Sequence, residues 1–178
     1  MTSAEKDRAY VEAGIPELED YLLSDELFWP ITARSYDLPR LTIGGLLLAK
    51  TRLEARGERI EALLTDLEAV RSKWLVAWET KAGREFQSRF GLWGNYLSDY
   101  RQNPDGHADA YPHEVRNRAI LQLLQPELPQ GLPEREALSP LDSLVRANLL
   151  PGDFIWESDV QSGFPREEYW FLYGTLKS

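Results

Sequence analysis

Residues 58–101 read ERIEALLTDLEAVRSKWLVAWETKAGREFQSRFGLWGNYLSDYR, and their spacing decides the architecture. Ile60, Leu63, Leu67, Val70, Trp74 and Ala77 succeed one another at steps of three and four, with Leu64 and Trp78 widening the stripe. Phe86, Phe90, Trp93, Leu97 and Tyr100 repeat the pattern. A helix returns to the same side every three or four residues, so each set predicts one apolar helical face. One straight helix over 58–101 would be about 66 Å long at the helical rise of 1.5 Å per residue. A compact chain of this size has a radius of gyration of about 16 Å, hence a diameter of about 40 Å. An unbroken rod would therefore leave aromatic rings in water unless a second copy covered them. The two stripes lose phase at Gly83, which predicts a break or sharp kink there; without it, an obligate dimer is the expectation.

Upstream, residues 1–14 are polar apart from Tyr10 and Val11 and read as an arm or short helix. Gly14-Ile15-Pro16-Glu17 reads as a helix start, because proline at the first turn sacrifices no hydrogen bond and early acids suit the helix dipole. Ile15, Leu18 and Leu22 then form a stripe that Phe28-Trp29-Pro30 must end. Residues 30–41, with Pro30 and Pro39, read as a connecting loop. Thr42 is the expected N-cap of a helix running to about Arg56, with Gly57 as its left-handed terminator. Ile43, Leu46, Leu47, Leu48 and Leu53 cover more than one stripe, which predicts a central helix. Gly44-Gly45 at its start is either an anion seat or a place of close approach, and the absent Lys and Ser/Thr of a phosphate loop favour close approach.

Downstream, Gly91 and Gly94 lie in a helical stretch where each costs roughly 1 kcal/mol relative to Ala. Close helix crossing is the expected reason, a ligand lying on the backbone the alternative. Asn103-Pro104-Asp105-Gly106 is a turn by composition, and Pro112 opens a helix that Pro126 closes near residue 125. Pro126, Pro129, Gly131 and Pro133 mark 126–138 as a linker between a helical core, 1–125, and a C-terminal extension, 139–178, within one domain. Ser139-Pro140-Leu141-Asp142 resembles a capping box, with a short helix ending at Pro151-Gly152. Phe154-Ile155-Trp156 reads as a strand. Tyr169-Trp170-Phe171-Leu172-Tyr173 fits either a buried strand or a short helix, and the extended reading is preferred. The predicted fold is mainly α: a single-domain bundle of about five or six helices, built on an antiparallel pair over 42–101. An aromatic-rich C-terminal extension, with room for a short β-hairpin, completes it.

Composition narrows the function classes. Twenty Lys plus Arg against twenty-nine Asp plus Glu give a net charge of -9, and that field repels nucleic-acid phosphates. No apolar run approaches the ~20 residues of a bilayer span, and Met1 to Arg8 contain no hydrophobic core of a signal peptide. The absence of cysteine excludes disulfides and thiolate chemistry and fits a cytoplasmic protein. Serine-nucleophile, dinucleotide and di-iron signatures are missing, so no cofactor is implied and an enzyme is not favoured. Glu58-x-x-Glu61 lacks a clear facing acidic pair and reads as helix-start acids. Arginines cluster near 52–59, 84–89 and 116–118, and interleaved glutamates predict pairing on solvated helical faces.

Of twenty aromatic residues, seven lie in 74–100 and seven in 154–173. Each group is too large to remain wet, because burying one such ring is worth roughly 1.5–3 kcal/mol; the two groups are expected to cover each other. The leading functional expectation is a non-enzymatic interaction or oligomerisation module, acting on itself or another protein. Trp74, Trp78, Phe86, Phe90 and Trp93 are its candidate residues, as core first and interface second. The alternative is a metal-assisted hydrolase or small-ligand-binding protein using His107, Asp109, His113 and Glu114, two imidazoles flanked by carboxylates.

Overall fold

Thr2 and Glu5 cap each other, the Glu5 N–H donating to the Thr2 hydroxyl at 3.2 Å and the Thr2 N–H to the Glu5 carboxylate at 2.6 Å. This reciprocal box makes the polar start a regular helix, α1 (Ser3–Gly14). The computed structural model describes residues 1–32, 37–130 and 134–178. From α1 the chain passes through a 3-10 turn at Ile15–Glu17, where Pro16 needs no hydrogen-bond partner, into α2 (Leu18–Leu23). Tyr10, Val11, Ile15, Leu18 and Leu22 are buried. The helix stops before Phe28-Trp29-Pro30, and Trp29 pairs through backbone hydrogen bonds with Leu41. Within the connecting loop, residues 33–36 lie outside the described residues.

α3 (Ile43–Ala55) keeps both predicted ends. Thr42 caps it by accepting from the Gly45 N–H at 2.9 Å. At the other end Gly57 adopts φ 71°, and the N–H groups of Gly57 and Glu58 return to the carbonyls of Glu54 and Leu53. That pair of bonds is the Schellman arrangement, which glycine enters without a Cβ penalty. α3 is central, packing on α1, on the helix over Tyr111–Leu124 and on a 3-10 turn at Ser158–Gly163.

The break in the long helical stretch lies at Trp74, not at Gly83. α4 (Glu61–Lys73) ends and α5 (Leu75–Gln102) begins around Trp74, whose φ -120°, ψ 40° leave the helical region. Gly83 is interior to α5. The apparent phase loss came from counting apolar residues alone: Lys81, at 3% exposure, and Glu85, at 0%, are buried on the same face. With them included, Trp78, Lys81, Glu85, Arg89, Trp93 and Tyr96 form one continuous stripe. At 28 residues α5 is about 42 Å long, which a compact chain accommodates. The bend is bridged from both sides, since Arg71 of α4 and the Trp78 indole of α5 donate to the same Glu127 oxygen at 3.0 and 2.8 Å.

α6 (Pro104–His107) is a single turn capped by Asn103, and α7 (Tyr111–Leu124) follows a second 3-10 turn. α7, rather than α3, is the principal partner of α5, burying Val115, Ala119, Ile120, Leu121 and Leu124. α8 (Glu134–Asn148) starts inside the stretch read as linker, of which residues 131–133 lie outside the described residues. The capping-box reading of Ser139 to Asp142 is thereby corrected: Pro140 is interior to α8, and Asp142 forms a two-bond pair with Arg118 of α7 at 2.8 and 3.0 Å. Close crossing does not account for the glycines of α5. A Cβ at Gly91 would meet nothing within 4 Å, and one at Gly94 would rest 3.9 Å from Leu141.

The chain ends in a two-stranded antiparallel sheet of β1 (Leu149–Phe154) and β2 (Tyr173–Leu176). β1 shares only Phe154 with the strand expected over Phe154-Ile155-Trp156. The extended reading of Tyr169 to Tyr173 is corrected as well, since Trp170–Leu172 form a 3-10 turn and only Tyr173 enters β2. Gly174, at φ 146°, brings β2 against the Leu150 carbonyl, where a Cβ would collide. The fold is thus mainly α with a short hairpin. The two aromatic groups share one core cluster, yet among the described residues no ring pair joins them. Tyr111 mediates instead: its ring lies 6.3 Å from that of Trp93, and its hydroxyl donates to the Phe171 carbonyl at 2.6 Å.

Candidate ligand cleft

α7 begins where Pro112 occupies its first turn, and the helical step then places His113 and Arg116 on one face. Opposite them stand Tyr10 of α1 and Gly45 and Arg52 of α3, and Trp156 closes one side, enclosing a cleft of about 670 Å³. A second cavity of about 280 Å³ shares Tyr10, Pro39, Gly45, His113 and Arg116 and adds Arg40, Arg89 and Asn117. Arg116 stands where the two meet.

The walls are held by hydrogen bonds that leave little free capacity. The Tyr10 hydroxyl donates to the Arg40 carbonyl at 3.0 Å and accepts from the Thr42 N–H at 3.1 Å; burial pushes this phenol up to about 12. The Trp156 indole donates to the Pro112 carbonyl at 3.0 Å. Beside it, Glu157 accepts from Ser3 at 2.9 Å and from Arg52 at 3.1 Å. Arg52 and Arg56 both reach Asp7, at 2.9 and 2.6 Å, and Arg56 also reaches Asp159 at 2.9 Å. These contacts strap the segment after β1 across α1 and α3.

Behind the smaller cavity, Arg89 donates to Glu85 at 2.7 Å, to Asn117 at 3.0 Å and to Thr42 at 3.2 Å. The other Glu85 oxygen accepts from the Gly44 N–H at 2.9 Å. Both sequence readings of Gly44-Gly45 therefore meet here. The helix start seats an anion, the chain's own carboxylate, and the glycines permit close approach, since a Cβ on Gly44 would collide with Ile120 and one on Gly45 with the Tyr10 hydroxyl.

Arg116 differs from every other arginine in the cleft. Among the described residues it makes no hydrogen bond and no ion pair. Arg116 is exposed on the surface, yet partial desolvation by the cleft walls, and then Arg89 and Arg52, push its guanidinium below the ordinary value. The sequence reading grouped it with arginines satisfied along their own helix. That holds for Arg89 with Glu85, whereas Arg52 and Arg56 pair across elements. A signal did exist: Pro112, His113, Ala119 and Ile120, the helical neighbours of Arg116 at three and four residues, include no acid. Nothing in the sequence brings Tyr10 or Trp156 to the same place.

The residues singled out from the sequence fall elsewhere. Trp78 and Trp93 are 0% exposed and Phe86 1%, while Trp74 and Phe90 are half-buried. Among the described residues, the buried indole N–H groups of Trp74 and Trp93 have no partner. These five are not gathered on an open face. His107 is half-buried in α6, its carbonyl accepting from Tyr96 at 3.0 Å, and Asp109 is exposed in the turn that follows. His113 lies on the cleft rim with Glu114 half-buried beside it. Among the described residues no group of three His, Asp or Glu side chains could hold a metal ion, so the four do not assemble a ligand set. No helix among the described residues is long and apolar enough to cross a membrane. No family model matches the chain, and no curated protein or solved structure is similar to it.

Proposed function

We propose that the protein is a non-enzymatic, cytoplasmic binding module that takes a small organic molecule in the cleft between α1, α3 and α7. The observation that carries this reading is the cleft itself. Its volume of about 670 Å³ falls in the range of small-molecule sites, roughly 300–1,000 Å³, and its lining combines Leu38, Leu48, Ala49 and Trp156 with charged side chains. Saturation-transfer NMR with a fragment library tests it. His113 is exposed on the rim, so His113→Trp fills the opening without disturbing the core. Fragments should bind the native protein and lose their signals with the variant; signals that persist would place binding elsewhere.

A second reading, association with itself or with another protein, rests on Val76 and Leu75, which are 78% and 40% exposed beside half-buried Trp74 at the α4–α5 bend. For self-association the expected result is a concentration-dependent rise in sedimentation coefficient that Val76→Lys removes. A single monomeric species at every concentration would discard self-association.

A further inference from the structure

Resting on the cleft reading above, we infer that the ligand is an amphipathic organic anion, its oxyanion head on Arg116 in the smaller cavity and its apolar body in the larger one. The two cavities differ in charge. Among the described residues, the smaller is lined by Arg40, Arg89 and Arg116 and by no carboxylate. The larger carries Asp7, Asp37 and Glu157 against Lys6, Arg52 and Arg116, so its charged residues balance. An anion is therefore drawn to one end of the combined space only. Within that end, Arg89 is already engaged by Glu85, Asn117 and Thr42, and Arg40 donates to the Phe28 carbonyl. Among the described residues there, Arg116 alone offers a complete guanidinium fork, the group that matches the paired oxygens of a carboxylate or phosphate.

Arg116 is an exposed residue at the mouth shared by the two cavities, so an anion can reach its guanidinium. Arg89 and Arg52 stand near enough to press on its charge, and a bound oxyanion would relieve that repulsion. The body of the ligand then meets Leu38, Leu48, Ala49 and Trp156 in the larger cavity. Trp156 is fixed at its Nε1 by the Pro112 carbonyl and backed by Phe164 with ring centroids 5.3 Å apart. An indole so placed suits a flat apolar body.

Isothermal titration calorimetry with 2-naphthoate, 2-naphthyl phosphate and uncharged 2-naphthamide, on the full chain, tests the inference. The expected result is binding of at least one of the two anions, weak or absent binding of the amide, and a loss of roughly 10- to 100-fold in Arg116→Leu, as when a charge-assisted contact is removed. The tighter of the two anions identifies the head group. Because Arg116 has no hydrogen-bond or ion-pair partner among the described residues, Arg116→Leu should melt no lower than the native chain, whereas an arginine with a structural role would lower the melting temperature. Equal affinity for the amide, or anion binding unchanged in Arg116→Leu, overturns the inference. The cleft reading survives that result if His113→Trp still abolishes binding. Should His113→Trp also leave anion and fragment binding intact, the cleft reading fails as well.

Discussion

Glu85 shows how much one side chain can organise. It is fully buried, yet both carboxylate oxygens are used, one by the Gly44 N–H and one by Arg89. Through Arg89 the same group reaches Asn117 of α7 and the Thr42 cap of α3. Removing one partner of a buried ion pair strands the other, at a cost of about 3–5 kcal/mol. Glu85→Ala is expected to lose about that much in urea unfolding, with Glu85→Gln, which keeps an acceptor for Gly44, losing less. A change below about 1 kcal/mol would mean water replaces the carboxylate at little cost. Lys81 is the companion case. Its ammonium donates to the Ser24 and Glu26 carbonyls at 2.7 and 2.6 Å and lies 4.6 Å from the centre of the Tyr21 ring. It thereby serves the carbonyls just past the end of α2.

At the scale of elements, two helices depart from what their residues prescribe. The stretch around Trp74 contains neither glycine nor proline, and the bend is held from outside by Glu127, the shared acceptor of Arg71 and Trp78. α8 does the reverse, running through a proline that ordinarily ends a helix. Leu138 and Val145, buried at 2% and 1% exposure, and the Arg118–Asp142 pair hold it in register on either side of Pro140. A proline in a helix interior forfeits one backbone bond and crowds the carbonyl four residues earlier, at a cost of ~3 kcal/mol. Pro140 is exposed, so Pro140→Ala should stabilise the protein by about 1–3 kcal/mol in thermal unfolding. A lowered melting temperature would show that the proline is required for the geometry of α8.

For the whole molecule, the buried phenols set the response to alkali. Burial raises Tyr10 and Tyr169 from 10.0 to about 12, and raises Tyr21, Tyr96, Tyr100 and Tyr111 as well. Below pH 10 both folded and unfolded chains keep these protons, and stability is unaffected by them. Above it the unfolded chain releases protons that the folded chain retains, so stability falls as pH rises from about 10 to 12. Lys81, lowered first by burial, has the opposite sign, but one ammonium stands against six phenols. Circular dichroism and tyrosinate absorbance should change together in a cooperative transition above pH 10. Tyrosine titration near its ordinary value with the fold intact would contradict the burial of these rings.

The sequence by itself determined what short-range chemistry determines. Thr42 and Gly57 bound α3 because a hydroxyl cap and a left-handed residue act within a few positions of themselves, and apolar periodicity identified the helices and hence the mainly α class. The tertiary structure alone decided where charge is buried. Lys81 and Glu85 complete the α5 stripe only because carbonyls and an N–H from other segments, together with Arg89 one turn along α5, compensate them, so apolar spacing misplaced the break at Gly83. The cleft was hidden for the same reason. Tyr10, Arg116 and Trp156 are far apart in the chain, and their meeting depends on α1, α3, α7 and the strapped C-terminal segment packing together, which no local pattern encodes.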